Sequence, residues 1–270
     1  MGIKRLGPFL RKHQCHHTFE SLSRYSGKTI AIDTPIFMYR FLAAKKTNWM
    51  RGFEQQFQDF AFHRITPIYV FDGRPPALKG EELAKRREVK EGWRAKAADE
   101  TLPFYKRIEA QERVASFPTS KHYAALQEEL KARSIDYRTA EHDGEKLCAK
   151  MTQRSEADVV LSQDFDTLVF GGAVMCSSVN GAFTEYDLGK VLDTLGFTYR
   201  QFVDFAVLCG SDFGKIKHFG PARSKKLITN FQTIEASLQH LLETKIGFSV
   251  PDSFRYKEAR EEFIGPETLS

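Results

Sequence analysis

The chain has no apolar run of about eighteen residues, so the sequence predicts no membrane-spanning helix. Its opening, MGIKRLGPFLRK, lacks the apolar core of a secretory signal. Leu6 stands where an N-myristoylation signal has Ser or Thr, so no lipid anchor and no membrane partner are expected. Cysteine is scarce: four residues, Cys15, Cys148, Cys176 and Cys209, lie far apart with no C-x-x-C pair. That excludes a cysteine-framed zinc site and points to packing thiols in a reducing, intracellular setting. There is also no internal repeat and no low-complexity linker.

What is present suits a soluble globular protein. The 270 residues are 41% hydrophobic and 28% charged, with a net charge of +5. A net charge of this size alone says little. If acids gather at one place, however, the rest of the molecule becomes a basic body, which suits a polyanionic substrate brought to bound metal ions.

Short strands alternate with helical segments. GKTIAID reads as a strand ending at Asp33, and PIFMYRFLAAKK as a helix with Pro35 in its first turn. EQQFQDFAFHRI has helical spacing, and TPIYVFD is a second strand ending at Asp72. Residues 79–112 hold nine basic and eight acidic side chains. SKHYAALQEELKARS is helical, IDYRTA is a weak strand, and DGEKLCAKMTQ opens another helix. ADVVLSQD is a third strong strand, ending at Asp164. YRQFVDFAVLCGSD is a helix closed by Gly210, and FGPARSKKLITNF is a turn followed by a basic helix. From about Ser249 the tail is polar and weakly patterned. The expected fold class is α/β, with a mainly parallel central sheet flanked by helices. In such sheets the carboxyl ends of the strands form the ligand crevice.

Three strands ending in Asp would bring three carboxylates to that rim. In an extended segment Asp164 and Asp166 would also face the same space. Crowded carboxylates repel unless a cation joins them. Oxygen donors without His or Cys favour Mg2+ or Mn2+ over zinc, and two such ions about 4 Å apart can activate water and stabilise a leaving oxygen of a phosphodiester. AEHDGEKLC adds Glu141, Asp143 and Glu145 at a helix start, and LCGSDF adds Asp212 just past a helix end. The plain alternatives are surface turns and acids paired with the abundant Lys and Arg.

Six blocks in order then carry a resemblance: MGIKRL, IAIDTPIFMYRFL, YVFDGRPPALKGEELAKR, DGEKLCAKM, LSQDFDTLVFGG, and LCGSDF followed by FGPARSKKLI. From residue 1 to about residue 240 the chain resembles the flap endonucleases, the structure-specific 5′-nucleases of DNA replication and repair. The resemblance implies one 5′-nuclease domain over residues 1–270. Within it, 1–78 and 126–195 form the nuclease body, 79–125 a helical arch, 196–245 a helix–two-turn–helix DNA-binding region, and 246–270 a tail. It implies a two-ion Mg2+ site, with Mn2+ as a substitute, held by Asp33, Asp72, Asp143, Glu145, Asp164, Asp166 and Asp212. Lys79 and Arg86 match the arch's two catalytic basic residues, which neutralise charge on the scissile phosphate. Tyr39 matches an aromatic that stacks on a base, and Gly2 the processed N-terminus near the site. Gly220, Arg223, Lys225 and Lys226 match the element that grips the duplex backbone. The implied substrates are DNA flaps, nicks and gaps, cut by a monomer in an intracellular DNA-replication compartment, nuclear or viral.

The chain departs from the family pattern in several places. Asp143 replaces the usual first Glu of Glu-x-Glu, which leaves Glu141 as a rival ligand. The family's Gly-x-Gly turn is His218-Phe219-Gly220, and its spacing from Asp212 is one residue shorter, which bears on K+ binding there. The segment from Asp33 to Asp72 is shorter than in cellular members, which bears on 3′-flap selectivity. No sliding-clamp docking box stands in the tail, EEFIGPETLS. A shortened, viral type of member fits these departures. Two rival readings stay open: a non-catalytic DNA-structure-binding homologue and a carboxylate-site RNase.

Overall fold

A computed structural model describes residue 3 and residues 5–45, 48–74, 80–179 and 182–265. In chain order the elements are α1 (Leu6–Lys12), β1 (His17–Phe19), a short 3-10 turn, β2 (Thr29–Asp33), α2 (Thr34–Lys45), α3 (Met50–Phe62) and β3 (Thr66–Phe71). There follow α4 (Gly80–Ala98), α5 (Phe104–Ala115), α6 (Ser120–Ala132), β4 (Tyr137–Thr139), α7 (Gly144–Gln153), β5 (Val159–Leu161) and α8 (Asp166–Val169). The chain ends with β6 (Val174–Val179), β7 (Ala182–Asp187), α9 (Leu188–Leu195), α10 (Tyr199–Cys209), α11 (Pro221–Phe231), α12 (Ile234–Thr244) and α13 (Tyr256–Ile264). No described helix is long and apolar enough to cross a membrane. The chain divides into two compact units, residues 22–147 and residues 1–21 with 148–270.

In the first unit β2, β3 and β4 run parallel in that order. Ile30, Ala31 and Ile32 make a continuous buried run, the pattern of a parallel strand covered on both faces. α2 and α3 supply Phe37, Met38, Phe41, Phe53, Phe57 and Phe60 to this core. Phe53 meets Phe41 and Tyr69 edge to face, with ring centroids 4.9 and 6.1 Å apart. α4 and α5 pack on one another as a long hairpin, and α4 is largely solvated.

In the second unit β5 and β6 are parallel, whereas β7 runs antiparallel to both β6 and β1. The α/β class holds, and the sheet is mixed: the antiparallel β1–β7–β6 pairing goes beyond the sequence reading. α10 is buried from Phe202 to Cys209 and forms the axis of this core, with α11, α12 and α13 around it. Thr198 and Gln201 close a capping box at its start. All four cysteines are buried and free, as packing residues.

One expectation needs correction. The strand expected to reach Asp164 stops at Leu161, and Asp166 opens the four-residue α8. Asp164 and Asp166 therefore do not share a face of an extended segment. The reason is local: the Asp166 N–H donates to Asp164 Oδ1 at 3.0 Å, a side-chain turn that competes with strand pairing. Within the tail the structure adds α13, which the sequence reading did not name: it packs on α10 and buries Ala259, Arg260 and Phe263, the last 4.8 Å from the Phe170 ring.

Candidate functional site

Four of the seven expected carboxylates lie in the unit of residues 22–147. Asp33 ends β2 and is 2% exposed, directly before α2, whose N-terminus favours a negative charge. Asp72 follows β3 by one residue. Asp33 is in register with Val70, so both acids stand at the carboxyl edge of the parallel strands. The loop after β3 is then laced to the loop before α7. Ala140 N–H donates to Phe71 O at 2.8 Å, Gly73 N–H to His142 O at 2.7 Å and Arg74 N–H to Glu141 O at 3.0 Å. This brings the start of α7 to Asp72, whose Oδ1 accepts the Gly144 N–H at 2.9 Å. Asp143 is half-buried immediately before that helix, and Glu145 lies in its first turn. Glu141, the rival ligand, has a side chain 90% exposed and lies 4.0 Å from His142 Nε2.

Gly144 has a steric role here. A Cβ at this position would stand 2.9 Å from Asp72 Oδ1 and displace the carboxylate. Tyr123 of α6 is a neighbour that the sequence did not reveal, since an aromatic on an amphipathic helix carries no such signal. Its ring meets Phe71 edge to face at 6.1 Å. Burial holds its hydroxyl well above the usual phenol range, and the charge of Asp72, with Tyr39 and Asp33, adds to the shift.

The other three carboxylates lie in the second unit. Asp166 is 6% exposed, and its Oδ1 accepts the Ile3 N–H at 2.8 Å, which ties the start of the chain to the Asp-x-Asp turn. Phe165, between the two acids, lies over α1 at Gly7. A Cβ at Gly7 would come within 2.5 Å of its ring. Tyr186 closes on Phe165 edge to face at 5.0 Å. Asp164 is half-buried, and Asp212 stands half-buried in the turn after α10.

Among the described residues, no three Asp, Glu, His or Cys side chains form a metal cage. The chemistry of the donor set fits a hard divalent cation, because all seven candidates are carboxylates with no imidazole or thiolate among them.

The remaining candidates vary in setting. Tyr39 is 47% exposed on α2 and is not part of the core. Arg86 is exposed on α4. Lys79 and Gly2 lie outside the described residues. Gly220 caps α11 with Pro221 at its first position. The Arg223 guanidinium sits 4.3 Å over the Phe219 ring, which in turn stacks on Phe248. His218, where the family motif has Gly, adopts φ 63, the left-handed backbone that a glycine takes freely. Lys225 and Lys226 lie on α11, half-buried and exposed respectively.

Comparison with known proteins gives a consistent picture. The XPG N-terminal domain model matches residues 1–92, and the XPG I-region model matches residues 134–212. Flap endonuclease 1 of Entamoeba histolytica is 31% identical over 297 residues, covering 99% of this chain and 76% of the relative. Among solved structures, the catalytic core of Rad2 in complex with DNA substrate superposes with a TM-score of 0.79 at 21% identity, covering 98% of this chain and 87% of that one. The Holliday junction-resolving enzyme GEN1 in complex with product DNA and Mg2+ gives a TM-score of 0.69 at 19% identity, covering 97% and 64% respectively. At these identities the structural matches speak for the fold.

Proposed function

The chain belongs to the flap endonuclease family, and from that premise we propose that it is a metal-dependent nuclease that hydrolyses DNA phosphodiesters near single-strand/duplex junctions, leaving a 5′-phosphate. The observation that carries this reading is the set of carboxylates at strand and helix ends, above all Asp33, Asp72, Asp143 and Glu145 at one edge of the parallel strands. Asp33, Asp72, Asp143, Glu145, Asp164, Asp166 and Asp212 would hold two Mg2+ ions, or Mn2+ in their place. Bound, these would supply water activation and stabilisation of the leaving oxygen. The exposure of Glu141 and the half-buried place of Asp143 support Asp143 as the ligand.

The chain's own residues do the rest. Lys79 and Arg86 neutralise charge on the scissile phosphate, as fixed cations do in other phosphoryl-transfer sites. Tyr39, exposed on α2, stacks on a base without reading sequence. Tyr123, with its raised pKa, stays protonated and can donate a hydrogen bond beside Asp72. In this reading α4 and α5 belong to the arch of residues 79–125, and α11 belongs to the helix–two-turn–helix region of residues 196–245. Gly220, Arg223, Lys225 and Lys226 there hold backbone phosphates. With His218 in the place of a glycine and one residue fewer after Asp212, phosphate contact at this turn is better supported than K+ coordination. The protein would act as a monomer on flaps, nicks and gaps, within an intracellular DNA-replication compartment.

Asp164→Ala tests the assignment. It should remove several kcal/mol of transition-state stabilisation, roughly a thousandfold in rate on a 5′-flap duplex, with DNA binding retained. Chelation with EDTA should abolish parental cleavage and added Mg2+ should restore it. Full activity in the variant would sink the ligand set. Binding without any cleavage by the parent would favour the non-catalytic homologue, and preference for an RNA flap would favour the RNase.

A further inference from the structure

Along α1 and α11, within one unit, runs a groove of about 560 Å³. Its walls carry Arg5, Lys12 and His13 from the N-terminal side and Lys225 and Lys226 from α11, over a floor that includes Phe9. No acidic residue lines it among the described residues. None of the four Lys and Arg side chains pairs with a described carboxylate, unlike Lys131, Arg133 and Arg260 elsewhere in the chain. The crowding shows at His13: burial, then the charges of Lys225 and Lys12, hold its imidazole below the ordinary value. Uncompensated like charges around a concavity are unfavourable until an anion enters.

We propose that this groove takes backbone phosphates of the duplex arm of the DNA, so that Lys12, with Arg5 and His13, extends the grip of α11 onto α1. The proposal rests on the nuclease reading above. Two observations favour DNA over an acidic protein as the occupant. The groove is continuous with the helix assigned to backbone contact, because Lys225 and Lys226 belong to both. It also follows α11 from Pro221 to Asn230. That helix has 11 residues and is about 16 Å long, so it can lie beside several phosphates of a strand whose charges recur about every 3.4 Å along the axis.

Lys12 is exposed, so its replacement leaves the core intact. The experiment uses the full chain with Lys12→Ala, Lys12→Glu and Lys12→Arg. Fluorescence anisotropy follows binding to 5′-flap DNA with a long or a short duplex arm, at increasing KCl. Lys12→Ala should lower the slope of log Kd against log salt by about 0.9, the value for one lost phosphate contact. Lys12→Glu should weaken binding further, and Lys12→Arg should keep the parental slope. Shortening the duplex arm until it no longer reaches the groove should erase the difference between parent and Lys12→Ala. Unchanged slopes and affinities in both Lys12→Ala and Lys12→Glu on the long arm would overturn the proposal. So would parental binding of a labelled oligoglutamate that Lys12→Glu abolishes while leaving DNA affinity intact, an outcome that assigns the groove to an acidic partner. Flap cleavage by the parent is read in parallel. Its absence would count against the nuclease reading, whereas cleavage with unchanged slopes counts against the groove alone.

Discussion

Gly144 shows how one missing methyl group can set a functional geometry. Its N–H holds Asp72 Oδ1 at 2.9 Å, and its lack of a Cβ leaves room for that oxygen. Alanine is acceptable to the first turn of a helix, so Gly144→Ala should cost little stability. The Asp72 side chain would swing away, since it is the mobile end of an exposed residue. Cleavage of a flap substrate is therefore expected to fall at least about tenfold, roughly 1.4 kcal/mol of transition-state stabilisation, with the thermal midpoint nearly unchanged. An unaltered rate would show that Asp72 has no precise place to keep. The identity of Asp72 was readable from its position after an apolar strand. The role of Gly144 was not, because a glycine in a helix start has several ordinary explanations and the clash exists only once two loops lie side by side.

At the scale of elements, α13 is held by a buried guanidinium in addition to its apolar packing. Arg260 is 6% exposed and makes bonds of 2.8 and 2.9 Å to Asp204 on α10 and the same pair of distances to Glu235 on α12. Burial tends to lower the Arg260 pKa, but Glu235 and Asp204 outweigh it and raise the group above its ordinary value. Arg260→Ala would leave the Asp204 carboxylate buried without its guanidinium, and removing one partner of a buried pair costs about 3–5 kcal/mol. Urea denaturation should show that loss, and the double variant Arg260→Met with Asp204→Leu should recover only part of it, because Asp204 Oδ2 also accepts the buried Ile234 N–H at 3.2 Å. A loss below about 1 kcal/mol would show that water reaches the pair. α13 escaped the sequence reading because its apolar face is short and an Arg counts as a surface residue until a partner is known. α4 and α5 were legible only through the resemblance, which implies a helical arch over residues 79–125; composition alone marked a highly charged segment. The Asp164 to Asp166 turn was half legible: both acids were identified, but the side-chain hydrogen bond that bends the chain there was not.

At the scale of the whole molecule, buried phenols set an alkaline limit. Tyr199 donates to Val169 O at 2.8 Å, and burial pushes its pKa from 10.0 to about 12. Burial likewise raises Tyr69, Tyr123 and Tyr186. A raised folded-state pKa means that the folded protein keeps a proton which the unfolded chain has released. The stabilisation is complete below pH 10, is lost as pH rises from 10 towards 12 and is flat above that for Tyr199. Two units correspond to about 2.7 kcal/mol for this residue alone. Denaturant melts between pH 8 and pH 12 should therefore show stability falling above pH 10, with a shallower fall in Tyr199→Phe. Equal slopes in parent and variant would remove Tyr199 from the account.

Strand and helix periodicity along the chain was enough to specify an α/β fold and to place acids at strand and helix ends, and the nuclease reading came from the resemblance that six motif blocks carry. Those features are local: alternation, run length and spacing are properties of neighbouring residues, and burial of apolar runs follows from them directly. Contacts between distant segments were not accessible in this way. The hydrogen bond from Ile3 to Asp166, the lacing of residues 71–74 to 140–144, the Arg260 network and the basic groove of α1 and α11 all join residues far apart in the chain. Each depends on which surfaces the closed core leaves adjacent, and that is settled by packing and loop closure rather than by the composition of any one segment.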